Sequence, residues 1–308
     1  MRRDFAGLDL AHPIINGSGT YDAIAARRVF GDALLERFPF SAFVSKTITL
    51  EPRAGNPPPR LFETPAGLIN SIGLPNKGLR GYLEHDLPEL ARLPVPLITN
   101  VMGANADDIA ALLEAVDPRP EIHAVELNVS CPNVKTGLDI GADPRELEAV
   151  LRRVRPRTAK PLIVKLTPNA ADPAAAAQAA EAAGADAVSL INTLRAYAPH
   201  PGAGGPPPGP WLGGGTGGLS GPAVRAVALA QVRAVAARVA IPVVGMGGVQ
   251  TGRHALQLLE AGATLVAVGT ESFRDAAAAE RIRRELHDLF AKSGDIARDH
   301  APARGVSR

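Results

Sequence analysis

The chain has 308 residues, 46% of them hydrophobic and 21% charged, a balance that excludes a disordered chain. The 33 basic and 31 acidic residues give a net charge of +2, so nothing in the charge predicts binding to nucleic acid. A single cysteine excludes an intrachain disulfide and an iron–sulfur cluster held by this chain alone, and no metal site is expected. We see neither a signal-peptide pattern nor a run of about 18 apolar residues, so a cytoplasmic protein without a membrane segment is expected.

Short apolar runs alternate with helical patterns along the whole chain. In chain order, strands are predicted at 13–17, 42–48, 96–102, 123–129, 161–166, 185–192, 241–246 and 264–269. Helices are predicted at 23–38, 77–92, 106–116, 143–156, 171–184, 221–239, 251–261 and 272–292. Eight of each is the count of an α/β (β/α)8 TIM barrel, and a doubly wound open sheet is the alternative.

Polar residues follow the carboxyl ends of these strands, which favours the barrel because all such ends meet at one mouth. In chain order they are Asn16, Lys46, Thr47, Asn100, Asn128, Lys165, Asn192, Thr193, Gly247, Gly248, Gly269 and Thr270. A lysine in such a mouth is costly unless it meets an anion, so the two lysines predict phosphate or carboxylate ligands.

Two connections are too long for a plain barrel. Residues 49–76 are rich in Pro and Gly, and long loops in compact domains are often functional. Residues 194–220 are richer still and are either a mobile lid or a solvated insertion. We expect one domain over 1–308, with long loops at the carboxyl-terminal face and a poorly ordered tail at 293–308.

The only cysteine follows a predicted buried strand, in Asn128-Val129-Ser130-Cys131-Pro132-Asn133. Lone cysteines are often small buried hydrophobes, but Pro132 ends the strand and puts Cys131 on a loop at the mouth. None of the seven histidines has an evident triad spacing with Cys131, and His123 is expected at the opposite end of the barrel. Proton abstraction by the thiol is therefore favoured over covalent catalysis.

Glycine turns follow the last two predicted strands, at Gly247-Gly248 and Gly269-Thr270, where barrels often bind phosphate. Gly221, between Ser220 and Pro222, begins another helix nearby. The dinucleotide pattern Gly-x-Gly-x-x-Gly is absent from the first strand–helix turn, and no Walker P-loop is present. A phosphate-bearing cofactor in a barrel mouth is therefore expected to be flavin mononucleotide (FMN) and not a nicotinamide.

Over nearly its whole length the sequence resembles the class 1 dihydroorotate dehydrogenases. The segments that carry the resemblance are 16–20, 45–47, 70–74, 128–133, 192–193, 217–222, 247–248 and 268–270. Class 2 enzymes have serine as the base and an N-terminal membrane-binding extension, so Cys131 fits class 1 better.

The resemblance implies an FMN enzyme of de novo pyrimidine biosynthesis that oxidises dihydroorotate to orotate. Cys131 would remove the proton from C5, and a hydride would pass from C6 to N5 of FMN. The substrate would be held by Lys46, Asn70, Ser71, Ile72, Gly73, Leu74, Asn128, Asn133, Asn192 and Thr193. FMN would contact Ser18, Gly19, Lys46, Thr47, Asn100, Asn128, Lys165, Ile191, Gly221, Gly247, Gly248, Gly269 and Thr270.

Within that family the sequence most resembles the NAD-linked class 1B catalytic subunits. The resemblance implies an electron-transfer subunit with FAD and an iron–sulfur cluster, and a homodimer or a dimer of heterodimers. The sequence leaves the electron acceptor open between NAD through that partner, fumarate or another compound. Residues 136–141 depart from the family pattern, which leaves the motion of the catalytic loop open.

Two other functions stay open at this point. One is an FMN barrel that oxidises another dihydropyrimidine or dihydrouridine, against which the carboxylate partner Lys46 argues. The other is a non-catalytic ligand-binding barrel, which predicts a colourless protein.

Overall fold

A computed structural model of the chain describes residues 1–130, 140–200 and 209–299. The strands of this part are β1 Arg3–Phe5, β2 Leu8–Leu10, β3 Ile14–Asn16, β4 Phe43–Val44, β5 Leu61–Thr64, β6 Gly67–Asn70, β7 Leu97–Val101, β8 Ile122–Asn128, β9 Leu162–Lys165, β10 Ala187–Leu190, β11 Leu194–Tyr197, β12 Thr216–Ser220, β13 Val243–Met246 and β14 Leu265–Val268.

Helices connect the barrel strands. They are α1 Ala23–Phe30, α2 Ala33–Glu36, α3 Gly78–Gly81, α4 Leu87–Leu90, α5 Ala106–Val116, α6 Pro144–Val154, α7 Pro173–Ala182, α8 Arg225–Ala236, α9 Gly252–Glu260, α10 Glu271–Arg274 and α11 Ala278–Asp299. A π-helical turn, Tyr82–Asp86, joins α3 to α4, and 3-10 turns lie at Ile140–Ala142, Arg155–Arg157 and Pro222–Val224. Within these residues no helix combines the length and apolar character needed to cross a membrane.

Eight parallel strands form the barrel, in the order β3-β14-β13-β10-β9-β8-β7-β4. The Asn16 side chain joins the two ends of this series: its Oδ1 accepts from the Val44 N–H at 2.8 Å and its Nδ2 donates to the Val44 carbonyl at 2.7 Å. The side-chain amide thus takes the place of a backbone peptide at the seam. The predicted barrel is confirmed, and the open doubly wound sheet is excluded. Asn16, expected among the mouth residues, is a structural residue of the seam.

The barrel core has two parts. Outward-facing strand residues pack against the helices in one large cluster. Inward-facing residues such as Ile98, Ile163 and Val244 fill the lower half of the barrel together with Phe5 and Leu10. Those last two come from the β1–β2 hairpin, which closes the amino-terminal end, so any site must lie at the opposite, carboxyl-terminal end.

The two long connections combine into one antiparallel sheet, in the order β11-β12-β6-β5. Residues 49–76 supply β5 and β6, and residues 194–220 supply β11 and β12. Gly218 pairs with Asn70 across β12 and β6. The described part of 194–220 therefore forms paired strands joined to the other long loop, a possibility that the sequence did not suggest.

Several element boundaries differ from the sequence predictions. Strand 42–48 is interrupted after Val44, although pairing with β7 resumes where Ile48 N–H donates to the Asn100 carbonyl. The interruption lets Lys46 and Thr47 leave the barrel wall. The predicted helix 221–239 starts with a 3-10 turn because Gly221 has a φ of +88°. A single domain over 1–308 and poor order of 293–308 stay predictions.

Candidate active site

The upper half of the barrel interior is polar, directly above the apolar half. Since strand side chains alternate, residues two positions apart share a face. Four strands change from an apolar to a polar inward residue toward their carboxyl ends: Ile98 to Asn100 on β7, Ala124 to Glu126 and Asn128 on β8, Ile163 to Lys165 on β9, and Ala187 to Ser189 on β10.

Glu126 lies at the centre of this polar layer and is 3% exposed. One carboxylate oxygen accepts from Ser189 Oγ at 2.7 Å, and the other accepts from Asn100 Nδ2. The remaining Asn100 atom, Oδ1, is buried and has no hydrogen-bond partner within the described residues. Sequence reasoning assigned no role to Glu126 or Ser189, although the two-residue spacing from Asn128 puts Glu126 on the same strand face.

The two predicted lysines have different surroundings. Lys165 is 7% exposed, and its ammonium has neither a hydrogen bond nor an ion pair within residues 1–130, 140–200 and 209–299. Lys46 is exposed at the rim, beside a cavity of about 510 Å³ that Gly19 and Thr47 also line. Crowding by protein atoms removes water from the Lys46 ammonium and lowers its pKa; Asp22 acts in the opposite direction.

Ser18, Gly19 and Thr47 lie together on this side of the mouth. Ser18 Oγ donates to the Ser45 carbonyl at 2.8 Å and lies 3.5 Å from Thr47 Oγ1. Gly19 has a φ of +71°, and a Cβ there would lie 3.8 Å from Lys46 Cγ. The structure therefore brings these four predicted residues into one edge of the site.

Gly221, Gly247, Gly248 and Thr270 form a second group, the glycine cradle. Its three glycines have φ angles of +88°, +130° and +70°, which favour glycine. A Cβ at Gly248 would lie 2.9 Å from the Gly221 carbonyl oxygen, and one at Gly221 would lie 3.6 Å from Thr270 Cγ2.

The backbone N–H groups of the glycine cradle have no acceptor in the described part of the chain. Unpaired N–H groups on closely spaced glycines are the donors that phosphate requires. Gly269 follows β14 next to Thr270, and a Cβ there would lie 3.7 Å from Thr20 Cγ2. Ile191, 4% exposed, packs beside Gly247.

The amides predicted to hold a substrate lie around the mouth. Within the described residues the side chains of Asn70 and Asn128 have one hydrogen bond each, and that of Asn192 has two, the second from the Thr193 N–H at 2.9 Å. Asn70 Nδ2 donates to the Gly218 carbonyl at 3.2 Å. Asn192 Nδ2 donates to Ser130 Oγ at 3.0 Å, and Asn128 Oδ1 accepts from the Ser130 N–H at 3.1 Å. Thr193 packs against Gly218, where a Cβ would lie 1.9 Å from Thr193 Oγ1.

The segment after Asn70 is fixed by Asn56. Asn56 Nδ2 donates to Ser71 Oγ at 3.0 Å, and its N–H donates to the Ile72 carbonyl at 3.0 Å. Gly73 has a φ of +72°, and a Cβ there would lie 2.4 Å from the Asn56 nitrogen; Leu74 also has a positive φ, +53°. Ser71 Oγ is thus engaged with a neighbouring loop, a contact that sequence reasoning did not foresee.

Cys131 and Asn133 lie outside the described residues, as does the rest of 131–139. The described chain on either side ends at the mouth: Ser130 contacts Asn192 before the segment, and after it the Gly141 N–H donates to the Val129 carbonyl, next to Asn128 at the end of β8. The attachment points of the segment that carries the thiol are therefore at the polar end of the barrel.

The sequence comparisons agree on one family. The profile described as "Dihydroorotate dehydrogenase" matches residues 1–290. Among similar proteins are three named dihydroorotate dehydrogenase B (NAD(+)), catalytic subunit. That of Desulforudis audaxviator (strain MP104C) is 44% identical over 293 residues, 94% of this chain and 92% of the relative. Those of Geobacter sp. (strain M21) and Bacillus pumilus (strain SAFR-032) are each 42% identical, over 93% and 94% of this chain and 92% of each relative. The chain therefore belongs to the dihydroorotate dehydrogenase family.

Proposed function

We propose that this chain is a catalytic subunit that oxidises dihydroorotate to orotate with bound FMN in de novo pyrimidine biosynthesis. The proposal rests on three features that the described residues combine at one end of the barrel. They are the buried Lys165 ammonium without a partner, the buried Asn100 Oδ1 without a partner, and the glycine cradle with its unpaired N–H groups. These features match a ring with polar edges that is joined to a phosphate.

The described residues fit both the ring and the phosphate of FMN. Asn100 Oδ1 and the Lys165 ammonium are buried polar groups without partners in the described chain, and a polar ring edge would satisfy both. The phosphate would be held by Gly221, Gly247, Gly248, Gly269 and Thr270, and the ring would also contact Ser18, Gly19, Lys46, Thr47, Asn128 and Ile191. When bound, FMN supplies the acceptor for the hydride that leaves C6 of dihydroorotate.

The substrate is an anion with a ring of alternating N–H and C=O groups. Lys46 binds its carboxylate, and the side-chain amides of Asn70, Asn128, Asn133 and Asn192 supply both donors and acceptors for the ring. Segment 70–74 and Thr193 close around it. Because an analogue without the matching groups would leave these amides unpaired, they give strong discrimination.

Cys131 takes the proton from C5, which balances the loss of the hydride from C6. A thiol has an ordinary pKa of about 8.5, so its surroundings must favour the thiolate near neutral pH. Lys165 would contact FMN, and its ammonium would stabilise the negative charge that the cofactor gains on reduction.

The relatives' names, each of which specifies a catalytic subunit and NAD(+), support a separate electron-transfer subunit as the partner of this chain. We propose that this partner carries FAD and an iron–sulfur cluster. We further propose a cytoplasmic complex in which the chain forms a homodimer or a dimer of heterodimers.

Anaerobic single-turnover reduction of the purified flavoprotein tests the assignment. Wild-type protein is expected to be yellow and to be bleached rapidly by dihydroorotate. Cys131→Ala is expected to keep FMN and to be reduced about 10²- to 10⁴-fold more slowly, because it lacks the base. Reduction of Cys131→Ala at the wild-type rate would reject the thiol as the base.

The same assay separates the alternatives. Reduction by dihydrouracil but not by dihydroorotate would indicate a different dihydropyrimidine as substrate. A colourless protein that does not bind added FMN would indicate a non-catalytic barrel.

A further inference from the structure

Glu126 and Lys165 are the two charged side chains that lie almost fully buried within the described residues, at 3% and 7% exposure. They are on adjacent strands: Lys165 pairs in register with Asn128, two residues beyond Glu126. Strand geometry puts their Cα atoms about 8 Å apart, with both side chains in the polar half of the barrel.

The hydrogen bonds of the Glu126 carboxylate fix the orientation of the Asn100 side-chain amide. A carboxylate only accepts hydrogen bonds, so both of its neighbours must donate. Ser189 donates its hydroxyl, and Asn100 donates through Nδ2. The Asn100 amide is therefore held with Oδ1 as the free atom, and this is the buried oxygen that has no partner in the described chain.

We propose that Glu126 is a positioning residue for the bound flavin: its carboxylate fixes the Asn100 amide so that an acceptor faces the cofactor, and it is the counter-charge of Lys165. The inference rests on the proposed FMN function and adds a residue to it. An acceptor suits the oxidised isoalloxazine, whose ring system has a single N–H donor. A negative charge near the ring opposes the gain of electrons and so lowers the reduction potential.

Three variants separate orientation and charge from simple packing. Glu126→Gln keeps the shape, removes the charge and allows either amide orientation at Asn100. Ser189→Ala is the matched control, since it removes the other hydrogen bond to the same carboxylate and keeps the charge. The double variant Asn100→Asp with Glu126→Gln moves the carboxylate to position 100 and the amide to position 126. The amide at position 126 would donate to that carboxylate and accept from Ser189. An oxygen at position 100 would still face the cofactor.

Each protein is loaded with FMN, and three quantities are measured: the FMN dissociation constant by fluorescence quenching, the flavin reduction potential, and the thermal unfolding of the apoprotein. Glu126→Gln is expected to raise the dissociation constant three- to tenfold and to make the potential more positive. Ser189→Ala is expected to change the dissociation constant less than twofold and to leave the potential unchanged. The double variant is expected to restore the dissociation constant to within twofold of wild type, with a potential at or below the wild-type value.

A Glu126→Gln protein with the wild-type potential would overturn the inference, as would a double variant that still behaves like Glu126→Gln. If Glu126→Gln does not fold, the double variant decides: tight FMN binding supports the exchange, and failure to fold or to bind FMN contradicts it. Loss of apoprotein stability alone, with potential and affinity per folded molecule unchanged, would assign Glu126 a structural role only. A wild-type chain that binds no FMN would instead reject the proposed cofactor, and this inference with it.

Discussion

A methyl group at Gly248 tests whether the glycine cradle binds phosphate. Gly248 has a φ of +70°, and a Cβ there would lie 2.7 Å from Arg225 Cβ and 2.9 Å from the Gly221 carbonyl oxygen. Ordinary carbon contacts are about 3.5–4.0 Å, so Gly248→Ala forces the neighbouring backbone to move by most of an ångström. That movement would displace the Gly221 and Gly248 N–H groups relative to each other.

The magnitude follows from those donors. A hydrogen bond to a charged group contributes about 1.5–3 kcal/mol, and each 1.4 kcal/mol is tenfold in affinity. Loss of one phosphate hydrogen bond therefore raises the FMN dissociation constant about 10- to 100-fold. The assay is titration of apoprotein with FMN, followed by flavin fluorescence.

Gly7→Ala is the matched control. Gly7 has a φ of +82° in the hairpin that closes the other end of the barrel, and a Cβ there would meet nothing within 4 Å. It suffers the same left-handed strain of about 1 kcal/mol without a clash near the site. Stability should fall in both variants, and FMN affinity only in Gly248→Ala. Equal FMN affinity in the two variants would refute the assignment of the cradle to phosphate.

Three further predictions concern stability and pH. Asn16→Ala leaves the Val44 N–H and carbonyl at the barrel seam without partners, so the unfolding free energy of the apoprotein in urea should fall by about 3–5 kcal/mol. The control is the helix N-cap variant Asn105→Ala, which should lose about 1 kcal/mol. A loss for Asn16→Ala no larger than that would contradict the role of Asn16 at the seam. Crowding by protein atoms lowers the pKa of Lys46, and the lysine must be protonated to bind a carboxylate. The kcat/KM for dihydroorotate should therefore decline as pH rises, starting below the ordinary lysine pKa of 10.5, and Lys46→Arg should move that decline to higher pH. Burial and the nearby Arg283 lower the pKa of His12 from 6.5 to about 4, so the folded state favours the neutral ring and loses stability as pH falls from 6.5 toward 4. His12→Gln should reduce that loss of unfolding free energy by about 2 kcal/mol. A variant whose unfolding free energy in urea falls as much as that of the wild type between pH 6.5 and 4 would contradict this prediction.

Periodicity predicted the barrel because strand and helix patterns depend on residues close together in the chain. All eight predicted barrel strands are present, although the second is reduced to Phe43–Val44. Patterning also identified the mouth residues Lys46, Asn100, Asn128 and Lys165, since parallel strands bring their carboxyl ends together. The family resemblance then supplied the roles that patterning alone left open.

The partners of those residues depend on contacts between distant parts of the chain. Nothing near Asn16 in the sequence indicates that its amide joins β3 to Val44, 28 residues away. The four-stranded sheet at the mouth unites two loops about 150 residues apart, and its pairing requires the closed barrel to bring them together.

The sequence by itself determined the class of fold, the end of the barrel that carries the site, and most residues that face the mouth. Only the tertiary structure decided which polar groups satisfy one another: Glu126 holds Asn100 through a contact across neighbouring strands, and Asn100 Oδ1 is left without a partner among the described residues. The physical reason is that alternation along a strand fixes the face of each side chain, whereas hydrogen-bond partners depend on the register and closure of all eight strands.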